Sequence, residues 1–162
     1  MSDFYIREVD ESEFEKCAEV IRQSFATVVD DFGITRDNCP RHTSFLTVDW
    51  LIFDRNAGKL LYGLFINNNP AGFVCLTKKD DNTYELGKLA VLPSYRHNGC
   101  GRALIDFAKE KVKFLGGNKI TIGIIEENTV LKEWYKSNGF VCTGTQKFSY
   151  LPFTTGFMEF NI

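Results

Sequence analysis

At 162 residues, 44% hydrophobic and with a net charge of −2, the chain is long enough to bury one core, and its charge argues against a general nucleic-acid binder. No apolar run approaches the roughly 18 residues a membrane span needs, and Met1-Ser2-Asp3-Phe4 has neither the basic region nor the apolar core of a secretory leader. The five cysteines are scattered without a Cys-x-x-Cys pair and with only two histidines to help them, so zinc is not expected and reduced thiols in the cytoplasm are.

Phe4-Tyr5-Ile6-Arg7-Glu8-Val9 predicts a first strand. Ser12 with Glu15 three residues on resembles a capping box. Behind it, Phe14, Cys17, Ala18, Ile21, Ser24, Phe25 and Val28 recur at helical spacing. Gly33 and Asp37-Asn38-Cys39-Pro40 break that pattern into a loop, and a second helix is expected from Thr43 to Arg55. Leu60 to Asn67 and Gly72 to Lys78 read as strands of a hairpin turning through Asn67-Asn68-Asn69-Pro70. Thr83 to Leu92 is the next strand and stops at Pro93. The loop Arg96-His97-Asn98-Gly99-Cys100-Gly101-Arg102 then feeds a helix carrying Leu104, Phe107, Ala108, Val112 and Leu115 at helical spacing. Lys119 to Ile125 reads as a buried strand, and Asn128 to Ser137 as a short helix stopped by Asn138-Gly139. Phe140 to Phe148 and Gly156 to Asn161 close the chain as strands. With no repeat or linker, residues 1–162 form one expected domain, a mixed α/β sheet protein.

The loop at Arg96–Arg102 is the most chemically informative stretch. A basic, glycine-containing loop at a helix start offers free N–H groups and a favourable dipole to an anion, so it predicts a phosphate site. Gly99 and Gly101 carry no Cβ to keep that anion off the main chain. The chain has no Gly-x-x-x-x-Gly-Lys-Ser/Thr P-loop and no Gly-x-Gly-x-x-Gly opening a first βαβ unit. Instead it has Arg-x-x-Gly-x-Gly at Arg96, Gly99 and Gly101. Leu89-Ala90-Val91-Leu92-Pro93-Ser94-Tyr95 precedes this motif, and Glu127-Asn128 and Tyr135-Lys136-Ser137-Asn138-Gly139-Phe140 follow it.

Together these segments resemble the GNAT superfamily of acyl-CoA-dependent N-acyltransferases. The resemblance is strongest over residues 83–142 and weaker over 60–82, while residues 10–58 carry no matching signature. It implies a mixed, largely antiparallel central sheet with splayed central strands flanked by helices. It implies acetyl-CoA as co-substrate without a metal, and direct acetyl transfer to a primary amine in a ternary complex. The acceptor would be a small-molecule amine or a peptide N-terminus, and the protein a monomer or homodimer without nucleic-acid or membrane partners. An acyl-CoA sensor, or an interaction domain of the same fold, is the alternative.

The resemblance also assigns residues. The main-chain N–H groups of His97, Asn98, Gly99, Cys100, Gly101 and Arg102, in the motif opened by Arg96, would hold the pyrophosphate. The main chain of Leu89, Ala90 and Val91 would bind the pantetheine arm, with one N–H polarising the thioester carbonyl. Asn128 would contact the coenzyme arm, and Tyr135 would protonate or hydrogen-bond its sulphur. Glu85 would be the base, its pKa raised within an apolar strand. Gly87 is compatible with a bulge that splays the strands, or with tight packing against a helix. Cys100 reads as structural, because direct transfer needs no covalent enzyme intermediate. The acceptor is expected near Asp30, Asp31, Phe32, Asn38, His42, Phe45 and Tyr150-Leu151-Pro152-Phe153, with the paired aspartates suited to a cationic amine.

Overall fold

The computed structural model describes residues 3–162; Met1 and Ser2, part of the stretch read as lacking a leader, lie outside them. The elements are β1 (Phe4–Glu8), α1 (Phe14–Val29), α2 (Val48–Asn56), β2 (Leu60–Ile66), β3 (Asn69–Lys78), β4 (Thr83–Val91), α3 (Cys100–Phe114), β5 (Lys119–Ile125), α4 (Thr129–Ser137), β6 (Val141–Lys147) and β7 (Thr154–Asn161). All strands join one seven-stranded sheet in the order β1-β2-β3-β4-β5-β7-β6. Each neighbouring pair is antiparallel except β4 and β5, which run parallel. The element order and the mixed, largely antiparallel sheet match the expectation. Among the described residues, no helix is long and apolar enough to cross a membrane.

The sheet is covered on both faces. On one face Leu104, Ile105, Ala108 and Val112 of α3, with Tyr135 of α4, pack against Leu64, Val74, Leu86, Ile120 and Ile122. On the other, Phe14, Cys17, Ala18 and Ile21 of α1 and Leu51 of α2 pack against Leu61, Phe73, Cys75 and Ala90. Strand alternation produces both layers, since successive side chains point to opposite faces.

Three local expectations need correction. The capping box lies earlier than the Ser12–Glu15 pair. Asp10 accepts from the Ser12 N–H at 3.0 Å, and Glu13 accepts from the Asp10 N–H at 2.9 Å. Asp10 wins because Ser12 gives its own hydroxyl to the Asp10 carboxylate. The helix expected from Thr43 to Arg55 is split into a 3-10 turn (Thr43–Phe45), an extended Leu46 with ψ 138°, and α2. Leu46 is wholly buried against α1 and α2, and the extended turn delivers it there. Finally, the hairpin turns on Asn67 and Asn68, with φ of 50° and 65°, so β3 begins at Asn69 rather than Gly72.

Candidate active site

The site begins with a strand that changes partner. β4 pairs with β5 only over Thr83–Glu85 and Lys119–Thr121; beyond that the two strands separate. The cause lies on the other edge of β4. Its register with β3 runs Cys75 to Gly87 and then Phe73 to Ala90, so β4 carries an extra residue there, a β-bulge. The left-handed residue in the bulge is Lys88, at φ 52°, a conformation L side chains avoid. A Cβ on Gly87 would meet nothing within 4 Å, which sets aside tight helix packing as the reason for that glycine. The Lys88 side chain is pinned instead: its ammonium lies 2.9 Å from Oδ2 of Asp54 on α2. The Lys59 ammonium lies 3.2 Å from the other oxygen of that buried carboxylate. The Lys88 approach falls outside hydrogen-bond geometry, leaving Asp54 Oδ2 paired by charge alone.

Where β4 and β5 diverge, a cavity of about 390 Å³ opens. Leu86 to Leu89 line it from β4 and Ile122 to Ile125 from β5; Phe25 and Val28 of α1, His42, Thr43, Phe153 and Thr155 also line it, with Asn128 at the N-cap of α4 and Leu131 and Tyr135 within that helix. Asn128 caps α4, its Oδ1 accepting from the Leu131 N–H at 3.2 Å, so its amide nitrogen is the group left for a ligand. Tyr135 is buried and packs edge-on against Trp134 and Phe140 at 5.1 and 5.4 Å. Its hydroxyl has no partner among the described residues, and burial raises its pKa, so it stays protonated.

β4 runs into the glycine loop. His97 and Gly99 both have positive φ, 65° and 83°, and α3 starts at Cys100. Among the described residues, the main-chain N–H groups of residues 97–102 donate to nothing; the first helical bond runs from the Ala103 N–H to the Gly99 carbonyl. Consecutive free N–H groups at alternating hand and a helix N-terminus form a nest for an anion. The two glycines serve different ends. Gly99 supplies the left-handed turn, while a Cβ on Gly101 would lie 3.1 Å from the Trp134 ring of α4.

Residues 25–140 match the Acetyltransferase (GNAT) family. The chain belongs to that family. An uncharacterised N-acetyltransferase of Lactobacillus delbrueckii subsp. lactis is 26% identical over 152 residues, covering 86% of this chain and 85% of the relative. Among solved structures, the PaiA N-acetyltransferase of Thermoplasma acidophilum, in complex with coenzyme A, superposes with a TM-score of 0.77 at 21% identity, covering 99% of each chain. The ribosomal-protein-S18-alanine N-acetyltransferase of Escherichia coli gives 0.79 at 16% identity, covering 99% of this chain and 94% of that one. At such identities the two likenesses speak for the fold.

Within this acetyltransferase, the sequence-derived residues fall into two groups. Leu89, Asn128 and Tyr135 line the cavity, and residues 97–102 present the free N–H groups. Several side chains of the set point to other partners or to solvent. The Ala90 side chain is buried beneath α1, which concerns its side chain and not its main chain, while the Val91 N–H donates to Ser24 Oγ at 3.2 Å and is not free for a ligand. The Arg96 guanidinium turns away from the loop onto α1, donating to the Ser24 carbonyl at 2.7 Å and to Thr27 Oγ1 at 3.3 Å. Arg102 is exposed beside Asp106. Burial raises the pKa of Cys100 and keeps it a thiol, as a structural role requires. Glu85 is not embedded as expected: its side chain is 48% exposed, with Lys79 Nζ 3.9 Å from Oε2, and it does not line the cavity. The neighbouring Tyr84 and Leu86 take the buried face, so alternation leaves Glu85 on the open side.

Ser24, Lys88 and Asp54 were missed from sequence. Ser24 fitted an apolar helical face and gave no sign that it would tie α1 to both β4 and the loop. Of the expected acceptor wall, Phe153 and His42 line the cavity, whereas Asp30, Asp31, Phe32 and Phe45 do not. Burial lowers the His42 pKa from its ordinary 6.5. The unfolded chain therefore binds a proton near pH 6.5 that the folded ring resists, and the stability this ring contributes is lost as the pH falls below 6.5. Melting temperatures taken from pH 8 to 5 should fall more steeply in the wild type than in His42→Phe. Parallel curves would show that His42 does not titrate in this window.

Proposed function

We propose that the chain transfers an acetyl group from acetyl-CoA directly to a primary amine within a ternary complex. The observation that carries this reading is the cavity between β4 and β5, opened on the same strand that runs into the free N–H groups of residues 97–102. When bound, acetyl-CoA supplies a thioester whose C–S bond breaks as the C–N bond forms, the proton lost by the amine ending on sulphur or in water. The N–H groups of residues 97–102 hold the pyrophosphate, assisted by the α3 dipole. The main chain of Leu89, at the unpaired edge of β4, holds the pantetheine arm, and its N–H polarises the thioester carbonyl, a role usually worth several kcal/mol. The Asn128 amide nitrogen holds the arm from α4. The Tyr135 hydroxyl donates a hydrogen bond to the departing sulphur. Glu85, exposed and outside the cavity, takes the amine proton through water.

All five cysteines are free thiols, which supports a reducing compartment and hence the cytoplasm. Two layers on a single sheet support one domain over residues 1–162. Calorimetric binding of acetyl-CoA, paired with release of free thiol over a panel of amines, tests the function. Binding with turnover of at least one amine is expected. Gly99→Val should weaken binding more than about tenfold, because a side chain at φ 83° costs roughly 1–2 kcal/mol and the loop must turn its N–H groups to relieve it. Tight binding without turnover over the whole panel would identify a sensor, and absence of binding would remove both readings.

A further inference from the structure

The polar groups of the cavity wall narrow the acceptor. Among the described residues, no aspartate or glutamate lines the cavity, and its one lining cation is Lys88, whose ammonium is engaged by the buried Asp54. The wall thus has no carboxylate to neutralise a second ammonium on the acceptor and no free cation to hold a carboxylate. A charged group buried without either is expensive.

What the wall does offer is His42. Its ring sits edge-on to Phe25 and Phe45, at 6.0 and 6.2 Å between centroids. Nδ1 accepts from the Ser44 main-chain N–H at 3.2 Å and lies 2.7 Å from Ser44 Oγ. A hydroxyl can rotate to donate or accept, but a main-chain N–H can only donate. Nδ1 therefore keeps its lone pair, and the proton of the neutral ring sits on Nε2. Burial favours that neutral form. Nε2–H has no partner among the described residues, so His42, which lines the cavity, carries an uncharged donor free for a ligand and is not a base there.

Building on the acetyl-transfer reading above, we infer that the acceptor is an α-amino amide with an apolar side chain, such as the N-terminus of a peptide, whose carbonyl oxygen accepts a hydrogen bond from His42 Nε2–H. Phe25, Val28, Ile124 and Phe153 provide the apolar surroundings for its side chain. Polyamines fail for want of a carboxylate in the wall, and free amino acids for want of an available cation.

The test compares phenylalaninamide, phenylalanine, phenethylamine and spermidine as acceptors at saturating acetyl-CoA. Phenylalaninamide should exceed each of the others by about tenfold or more in kcat/KM, the scale of one well-formed hydrogen bond to a buried partner. His42→Phe keeps the aromatic packing without the donor and should bring the ratio of phenylalaninamide to phenethylamine close to one. Independently of turnover, long-range ¹H–¹⁵N spectra of the unliganded wild type at pH 8 should show the Nε2–H tautomer of His42. Preference for spermidine or phenethylamine, an unchanged ratio in His42→Phe, or an Nδ1–H tautomer would overturn the inference. If acetyl-CoA binds and amines turn over without amide preference, this inference alone falls. If neither binding nor turnover is found with any amine, the acetyl-transfer reading falls and takes the inference with it.

Discussion

Replacing Tyr135 with phenylalanine should lower kcat by about 10–100-fold, the loss expected when one hydrogen bond to a developing anion is removed from a buried site. Acetyl-CoA affinity and melting temperature should hardly change. Phenylalanine keeps the edge-on packing against Trp134 and Phe140, and the hydroxyl it removes has no hydrogen-bond partner among the described residues. The sign of the pKa shift also defines the role. Burial pushes Tyr135 above the ordinary tyrosine value, whereas a thiol titrates near 8.5, so full proton transfer from Tyr135 to a thiolate runs uphill. In the proposed mechanism Tyr135 would therefore act by donating a hydrogen bond rather than a proton. Single-turnover rates beside calorimetric acetyl-CoA affinity provide the check. A kcat equal to the wild type would remove Tyr135 from the mechanism.

The second large effect lies outside the cavity. Asp54→Ala strips the counter-charge from Lys88 and Lys59, whose side chains are 18% and 28% exposed around a carboxylate only 7% exposed. Breaking a fully buried pair costs about 3–5 kcal/mol, and the partial exposure of the lysines reduces this to roughly 2–3. For a chain of this size that is a fall in melting temperature of about 4–12 °C. Acetyl-CoA binding should weaken as well, because Lys88 holds a left-handed bulge that parts β4 from β5. Adding Lys88→Gly should restore part of both losses: glycine adopts φ 52° without strain and removes the ammonium left without a partner. Thermal melts and calorimetry on the single and double variants separate the two contributions. A single variant that melts and binds like the wild type would show that the ion pair does not support the bulge.

Tyr135 and Lys88 differ in how readily a linear chain reveals them. Tyr135 follows Asn128 by seven residues, and helix geometry alone brings the two to one side. The left-handed Gly99 is equally local, since a glycine between a strand and a helical pattern marks a turn whatever surrounds it. Glu85 shows the limit of such reading. An apolar run around a carboxylate suggests burial, but which side of the strand is covered depends on helices distant in sequence. The bulge at Lys88 has no local signature, because lysine is a poor choice for φ 52° and is kept there by a partner on α2. The broken helix at Leu46 is similar: the intrinsic pattern continues, and burial against α1 and α2 overrides it.

Short-range physics accounts for what could be read directly from the residues: the succession of helices and strands, and a loop whose N–H groups were bound to be free. Each rests on contacts within one or two turns of chain. The working shape of the site rests on long-range contacts. Ser24 meets the Val91 N–H across 67 residues and the Arg96 guanidinium across 72, and Asp54 reaches over to Lys88. These joins set which N–H groups are free, where β4 leaves β5, and which groups line the cavity. Many chain segments of similar pattern could supply such partners, and the choice among them is made when the packed layers close.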